Sequence, residues 1–267
     1  MFLSNIAVAA VIAFPLNISV PQHLNTEHAN RYSIYAMMSS NAYLRDPIRT
    51  YFPIRDLGWV KVDLNSQAIP QGVHSYKPNT WIGKIFSNLQ FDIWEQQGSN
   101  KTIIAFKGTD EVIDWGVANF AIGISIPYKS AKKKVKEYIR NNPTRYISLT
   151  GHSLGGGLAL SVSVWEGIDA VVFNTSPRVF DGFNNDPKPA SRKAIFQEDD
   201  ILQKIREFYP TFEDAVSPGN IIKTNFDYNG ESNHRADLIA EGILRCARDS
   251  HLIMMAAKLI PKVQCNF

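Results

Sequence analysis

The stretch Tyr146-Ile147-Ser148-Leu149-Thr150-Gly151-His152-Ser153-Leu154-Gly155-Gly156-Gly157-Leu158-Ala159-Leu160 decides how the chain folds. Residues 146–149 are short and β-prone, and residues 156–165 are an apolar, helix-forming run. Gly-x-Ser-x-Gly lies between them. A strand that turns sharply into a helix presents Ser153 at the turn, with its hydroxyl above the sheet edge. Such a turn needs small neighbours, and Gly151 and Gly155 let helix and adjacent strand approach without Cβ clashes. The helix N-terminus then offers backbone N–H groups and a positive dipole end to a developing anion. A five-residue pattern arises by chance, and a Gly-rich turn with an incidental serine is the competing reading. The strand before it and the helix after it favour the elbow.

Elements on both sides extend the pattern. Residues 91–94 and 102–106 read as strands joined by Gln96-Gln97-Gly98-Ser99-Asn100, a hairpin signal. Tyr32, Tyr35, Ala36, Ser39 and Tyr43 share one face of a helix over residues 28–44. Residues 130–140 are helical, with Lys132, Lys133, Lys134 and Lys136 mostly away from the apolar face, as a solvated helix surface requires. Residues 45–83 carry no clear period. Short strands follow at 170–173, 193–197 and 220–226, then helices at 234–247 and 251–260. Alternating strands and helices imply an α/β fold with a mostly parallel central sheet and helices on both faces.

Composition agrees. The 267 residues are 45% hydrophobic and 20% charged, which excludes disordered, collagen-like and coiled-coil classes. A net charge of +3 is too small to argue for a nucleic-acid partner. Two cysteines, Cys246 and Cys265, supply no metal cluster; they either pair or stand as separate buried thiols. Residues 28–267 are expected to form one domain.

Residues 1–27 stand apart, with no Asp, Glu, Lys or Arg before Glu27. Their apolar run, residues 6–14, is too short to span a bilayer, so no stable transmembrane anchor is expected. It suits a signal peptide's apolar region, a segment packed on the domain, or contact with a lipid interface. Location therefore stays open between secreted and cytoplasmic.

Phe106-Lys107-Gly108-Thr109, Asp114-Trp115 and Gly151-His152-Ser153-Leu154-Gly155-Gly156 together resemble the class 3 (fungal-type) lipases of the α/β-hydrolase superfamily, with features of its bacterial members. Residues 173–179 and the helix ending in Ser39-Ser40-Asn41-Ala42-Tyr43 are similar to segments of that family. The resemblance spans roughly residues 30–250 and is strongest from 102 to 180. Lys107 departs from the family's more usual Arg. The resemblance implies hydrolysis of carboxylic esters of lipids, either triacylglycerols or phospholipids, without metal or organic cofactor. It implies that the Gly108-Thr109 strand end supplies the oxyanion hole, which agrees with the residues themselves: the backbone N–H groups of Thr109 and Leu154 are the candidate donors, and Asp110 reads as a cap of the following turn. Residues 116–126, apolar and Gly-containing, then read as a lid over an acyl cleft or as a core segment.

A serine nucleophile needs a base and an orienting acid, which in α/β-hydrolases follow it in the order acid, then histidine. By the family's pattern the acid maps onto Asp200, after the strand at 193–197; Asp199 is its rival, and Asp181 reads as a turn residue. His23, His28 and His74 precede the serine, and His152 should point away from it. His234, on a loop opening a Leu- and Ile-rich helix, is the preferred base, and His251 is its rival. The reading is thus a Ser153–Asp200–His234 hydrolase whose expected partner is a lipid or ester substrate, a membrane or lipid-droplet interface being one place to meet it. A serine-dependent acyltransferase and a non-catalytic binding protein on the same fold are the alternatives.

Overall fold

In the computed structural model, residues 20–43, 48–78, 89–109, 126–179, 188–206 and 210–265 are described. The apolar run at 6–14, the lid segment up to residue 125, Asp110, Asp114, Trp115 and Asp181 lie outside these residues.

The turn around Gly98, which has φ 69°, joins β3 (Phe91–Gln96) to β4 (Lys101–Phe106). The two pair antiparallel from Phe91↔Phe106 to Glu95↔Thr102, as the hairpin signal predicts. Beyond β4 the sheet turns parallel. β4 is followed by α2 (Ile126–Asn141), β5 (Tyr146–His152), α3 (Leu154–Glu166), β6 (Asp169–Phe173) and β7 (Arg192–Gln197). Two short helices, α4 (Gln203–Arg206) and α5 (Pro210–Ala215), lead to β8 (Ile221–Thr224), then α6 (Ala236–Cys246) and α7 (Ser250–Ala257). Ahead of these stand β1 (Gln22–His23), α1 (Thr26–Asn41) and β2 (Trp59–Val62). The eight strands lie in the order β1-β8-β7-β6-β5-β4-β3-β2, parallel from β1 to β4 and antiparallel from β4 to β2. This is the α/β-hydrolase arrangement of a mostly parallel sheet with helices on both faces.

Side chains along a strand alternate between faces, and two cores follow. Ile103, Ala105, Val171, Phe173 and Ile195 pack with Tyr32, Ala36 and Met37 of α1 and Leu238, Ile239 and Ile243 of α6. Their neighbours Ile104, Phe106, Ala170, Val172 and Ala194 pack on the other face with Val135 and Tyr138 of α2 and Leu158 and Leu160 of α3. A sheet covered on both faces reads as unbroken apolar runs, which is why β6 shows no polar alternation.

Two edges depart from the sequence expectation. β2 forms within the stretch that carries no period. Its Lys61 is fully buried, 2.9 Å from Asp92 Oδ2, and also donates to the carbonyls of Gln71 and Val73. A paired buried lysine hides the strand from any apolar pattern. At the other edge β1 pairs with β8, and α1 starts at Thr26, so the described structure begins ahead of the boundary expected at residue 28. Among the described residues no helix is long and apolar enough to cross a membrane.

Cys246, the last residue of α6, forms a disulfide with Cys265, 19 positions on. The loop it closes predicts a contribution of about 3 kcal/mol by the chain-entropy relation. Urea unfolding of wild type and Cys265→Ser should differ by about 2–3 kcal/mol under oxidising conditions and converge when a reductant is added. Equal stabilities without reductant would contradict the bond's contribution.

Candidate active site

β5 runs on through His152, and α3 begins at Leu154, leaving one residue to make the whole turn. That residue is Ser153, at φ 56° and ψ −129°. A β-carbon is strained there, at a cost of order 1–3 kcal/mol, and persists only where the surroundings over-determine it. Backbone bonds supply that hold. Ser153 donates its N–H to the Phe173 carbonyl, and its own carbonyl accepts from Gly156 and Ser176 at 3.0 Å. The glycines are required by close approach. A β-carbon on Gly155 would lie 2.2 Å from the Phe106 carbonyl oxygen, and one on Gly151 2.4 Å from the Gly155 backbone.

Gly108 brings the end of β4 against the elbow. A β-carbon there would sit 3.2 Å from Ser153 Cβ, 2.7 Å from the His152 carbonyl and 2.2 Å from the Tyr43 hydroxyl. Thr109 follows directly and is partly exposed, as is Leu154. As the first residue of α3, Leu154 has an N–H with no acceptor in its own helix. Of the two residues expected at an oxyanion hole, Leu154 follows Ser153 directly and Thr109 follows Gly108, whose backbone packs against the elbow.

Asp200 and His234 meet directly. His234 Nδ1 is hydrogen-bonded to Asp200 Oδ1, and both side chains are buried. His234 Nε2 is buried and has no hydrogen-bond partner among the described residues. It is the ring nitrogen that Asp200 does not engage. The rivals are elsewhere. Asp199 is exposed, with φ 59°, and its N–H bonds Gln203 Oε1. His251 is exposed at the start of α7, where Asp249 caps the helix by accepting its N–H.

Three residues that sequence reasoning did not assign to the site, Asn174, Asn233 and Arg206, bond its loops together. Asn174, at φ 38°, donates from Nδ2 to the Asn233 carbonyl at 3.0 Å and accepts the Gln197 N–H at 2.8 Å. It thus ties the histidine loop to the end of β7, where the acid loop begins. Asn233 Nδ2 in turn donates to the Glu198 carbonyl. Arg206 Nη2 lies 2.8 Å from Asp200 Oδ2, an ion pair rather than an aligned hydrogen bond, and Nη1 donates to the Thr175 carbonyl. Burial makes the guanidinium easier to deprotonate, and the Asp200 charge opposes this.

Tyr43 and His152 form the remaining pair. The Tyr43 hydroxyl is 2.9 Å from His152 Nδ1 and 3.3 Å from the His152 carbonyl, and Arg49 covers the tyrosine ring at 4.3 Å. The His152 ring lies beside that of His234, 4.7 Å away centroid to centroid. Among the described residues no group of His, Cys, Asp and Glu is arranged to hold a metal ion.

The model of the phospholipase-like family, described as the Tle-like phospholipase domain, matches residues 34–204. The chain belongs to this family. Its domain is that of a lipid-ester hydrolase. No curated protein matches the sequence. Solved structures similar to it include the Lip2 lipase of Yarrowia lipolytica, at 17% identity and TM-score 0.45, covering 71% of this chain and 77% of that one. The lipase of Rhizopus microsporus var. chinensis is 12% identical, with TM-score 0.49 over 76% and 79% of the two chains. The Rhizomucor miehei triacylglyceride lipase is 16% identical, with TM-score 0.45 over 69% and 76%.

Burial, ahead of the nearby His234 and Arg49, holds the His152 imidazole well below its ordinary value of 6.5. The folded protein keeps this ring neutral, while the unfolded chain protonates it below about pH 6.5. Acid then favours the unfolded state, so this component of stability is present above pH 6.5 and is lost as pH falls below it. Unfolding free energy measured from pH 7 to 5 should fall by up to about 1.4 kcal/mol per pH unit from this group, and by less in His152→Asn. Identical slopes in the two proteins would rule the assignment out.

Proposed function

We propose that the protein is a serine hydrolase that cleaves carboxylic esters of lipids, of phospholipase A or triacylglycerol lipase type, with Ser153 as nucleophile, His234 as base and Asp200 as orienting acid. The observation that carries this reading is the buried Asp200–His234 pair with His234 Nε2 unpartnered, together with a serine held in a strained strand-to-helix turn. The family match over residues 34–204 favours phospholipid as the substrate class.

The steps are those of a serine esterase. Ser153 Oγ attacks the ester carbonyl as His234 Nε2 takes its proton. Asp200 keeps the remaining imidazole proton on Nδ1 and offsets the charge of the imidazolium. The oxyanion of the tetrahedral intermediate is held by the N–H groups of Thr109 and Leu154, each such donor being worth about 10²–10³ in rate. Collapse releases the alcohol with the proton from His234 and leaves an acyl-serine. Water, deprotonated by His234, then attacks the acyl carbon, releasing the fatty acid and free Ser153.

A short-chain p-nitrophenyl ester assay tests the reading. Ser153→Ala and His234→Ala should each lose at least about 10⁴-fold in kcat, and Asp200→Asn about 10³–10⁴-fold. His251→Ala and Asp199→Ala should stay within about twofold of wild type, as exposed substitutions do. Full activity in Ser153→Ala would sink the proposal, and loss in His251→Ala with retention in His234→Ala would reassign the base. Release of fatty acid from phospholipid vesicles in preference to a triacylglycerol emulsion is the expected substrate result.

A further inference from the structure

A buried arginine next to a catalytic carboxylate needs a reason. Asp200 has two carboxylate oxygens with different partners: Oδ1 meets His234 Nδ1, and Oδ2 faces Arg206 Nη2 at 2.8 Å. Arg206 is itself fixed from two directions. Nη1 donates to the Thr175 carbonyl at 3.0 Å, and the guanidinium lies 3.9 Å over the Phe196 ring. Thr175 precedes Ser176, whose N–H binds the Ser153 carbonyl. One planar fork therefore reaches both the acid and the segment that seats the nucleophile.

We infer that Arg206 is a positioning residue for the hydrolase reaction, locking the Asp200 carboxylate in the rotamer that fixes the His234 tautomer and ring. The inference rests on the proposed Ser153–Asp200–His234 reading.

The chemistry supports a geometric role. A free carboxylate turns about its last torsion at little cost, and a partner on the second oxygen stops it. Electrostatic help to the imidazolium is not what a second cation supplies, since Arg206 and protonated His234 share one anion. Lysine does not replace the fork, because one ammonium cannot span Thr175 and Asp200 as two guanidinium nitrogens do. The sequence hides the residue: Arg206 follows the acid by six positions, on the one-turn helix α4, with no motif around it.

The test combines kinetics, a spectroscopic signature and stability. Arg206→Met should lower kcat by about 10–100-fold, as loss of a supporting partner does, with KM within about threefold. In an Asp200→Asn background the same change should cost less than about threefold, because the two act as one unit. The low-field proton resonance of the His234–Asp200 hydrogen bond, present in wild type, should broaden or vanish in Arg206→Met. Arg206→Lys, which keeps the charge, should fold and still lose about tenfold in kcat; it decides the matter if Arg206→Met does not fold. Equal and independent losses in the two backgrounds, an unchanged resonance, or full kcat in Arg206→Lys would overturn the inference. A wild type without esterase turnover would overturn the hydrolase reading instead, and loss of the resonance in Arg206→Met would then still support the positioning role.

Discussion

The close approach of backbone to backbone at the Ser153 turn is the constraint on which the rest of the site depends. Ser153 at φ 56° needs Gly155 against the Phe106 carbonyl and Gly151 against Gly155, because no β-carbon fits at either place. That contact sets the distance between α3 and the end of β4. It also brings Gly108 against Ser153 Cβ, and Thr109 is the next residue along the chain. The strain is sustained by bonds from the neighbouring strand, with Phe173 and Ser176 holding both backbone polar groups of Ser153.

From this point the site spreads along the carboxyl ends of the parallel strands, where α/β folds gather their loops. Residues 173–176 are the junction. Phe173 and Ser176 hold Ser153, Asn174 holds the histidine loop and β7, and Thr175 receives Arg206. Ser153, Asp200 and His234, the proposed nucleophile, acid and base, are separated by up to 81 positions in sequence and are each tied to one short segment after β6. Such a buried polar network rigidifies when its members find partners. His234 Nε2, one of the buried nitrogens without a hydrogen-bond partner among the described residues, belongs to the group proposed to move protons.

Much of this was legible in the sequence, and the parts that were not share a cause. The elbow, the β3–β4 hairpin, the parallel strands and the likeness to class 3 lipases all rest on local patterns of residue type and spacing. Asp200 and His234 came from the chain order and from family likeness, and the structure brings the two into contact. Tyr43, Asn174 and Arg206 were not assigned to the site, because their partners lie across the fold. Tyr43 meets a residue 109 positions away, Asn174 one 59 away and Arg206 one 31 away. Strand β2 escaped for a different reason, its central lysine being buried by pairing with Asp92 rather than by hydrophobicity. The bond between His152 and Tyr43 likewise had no local signal.

The central claim is that Ser153 is an activated nucleophile with an oxyanion site beside it. A crystal structure of the full chain after reaction with a fluorophosphonate tests it most directly. The account predicts one adduct, on Ser153 Oγ, with the phosphonyl oxygen within about 3.1 Å of the Thr109 and Leu154 backbone nitrogens. An unmodified Ser153, an adduct on another residue, or a phosphonyl oxygen turned away from those two N–H groups would contradict it.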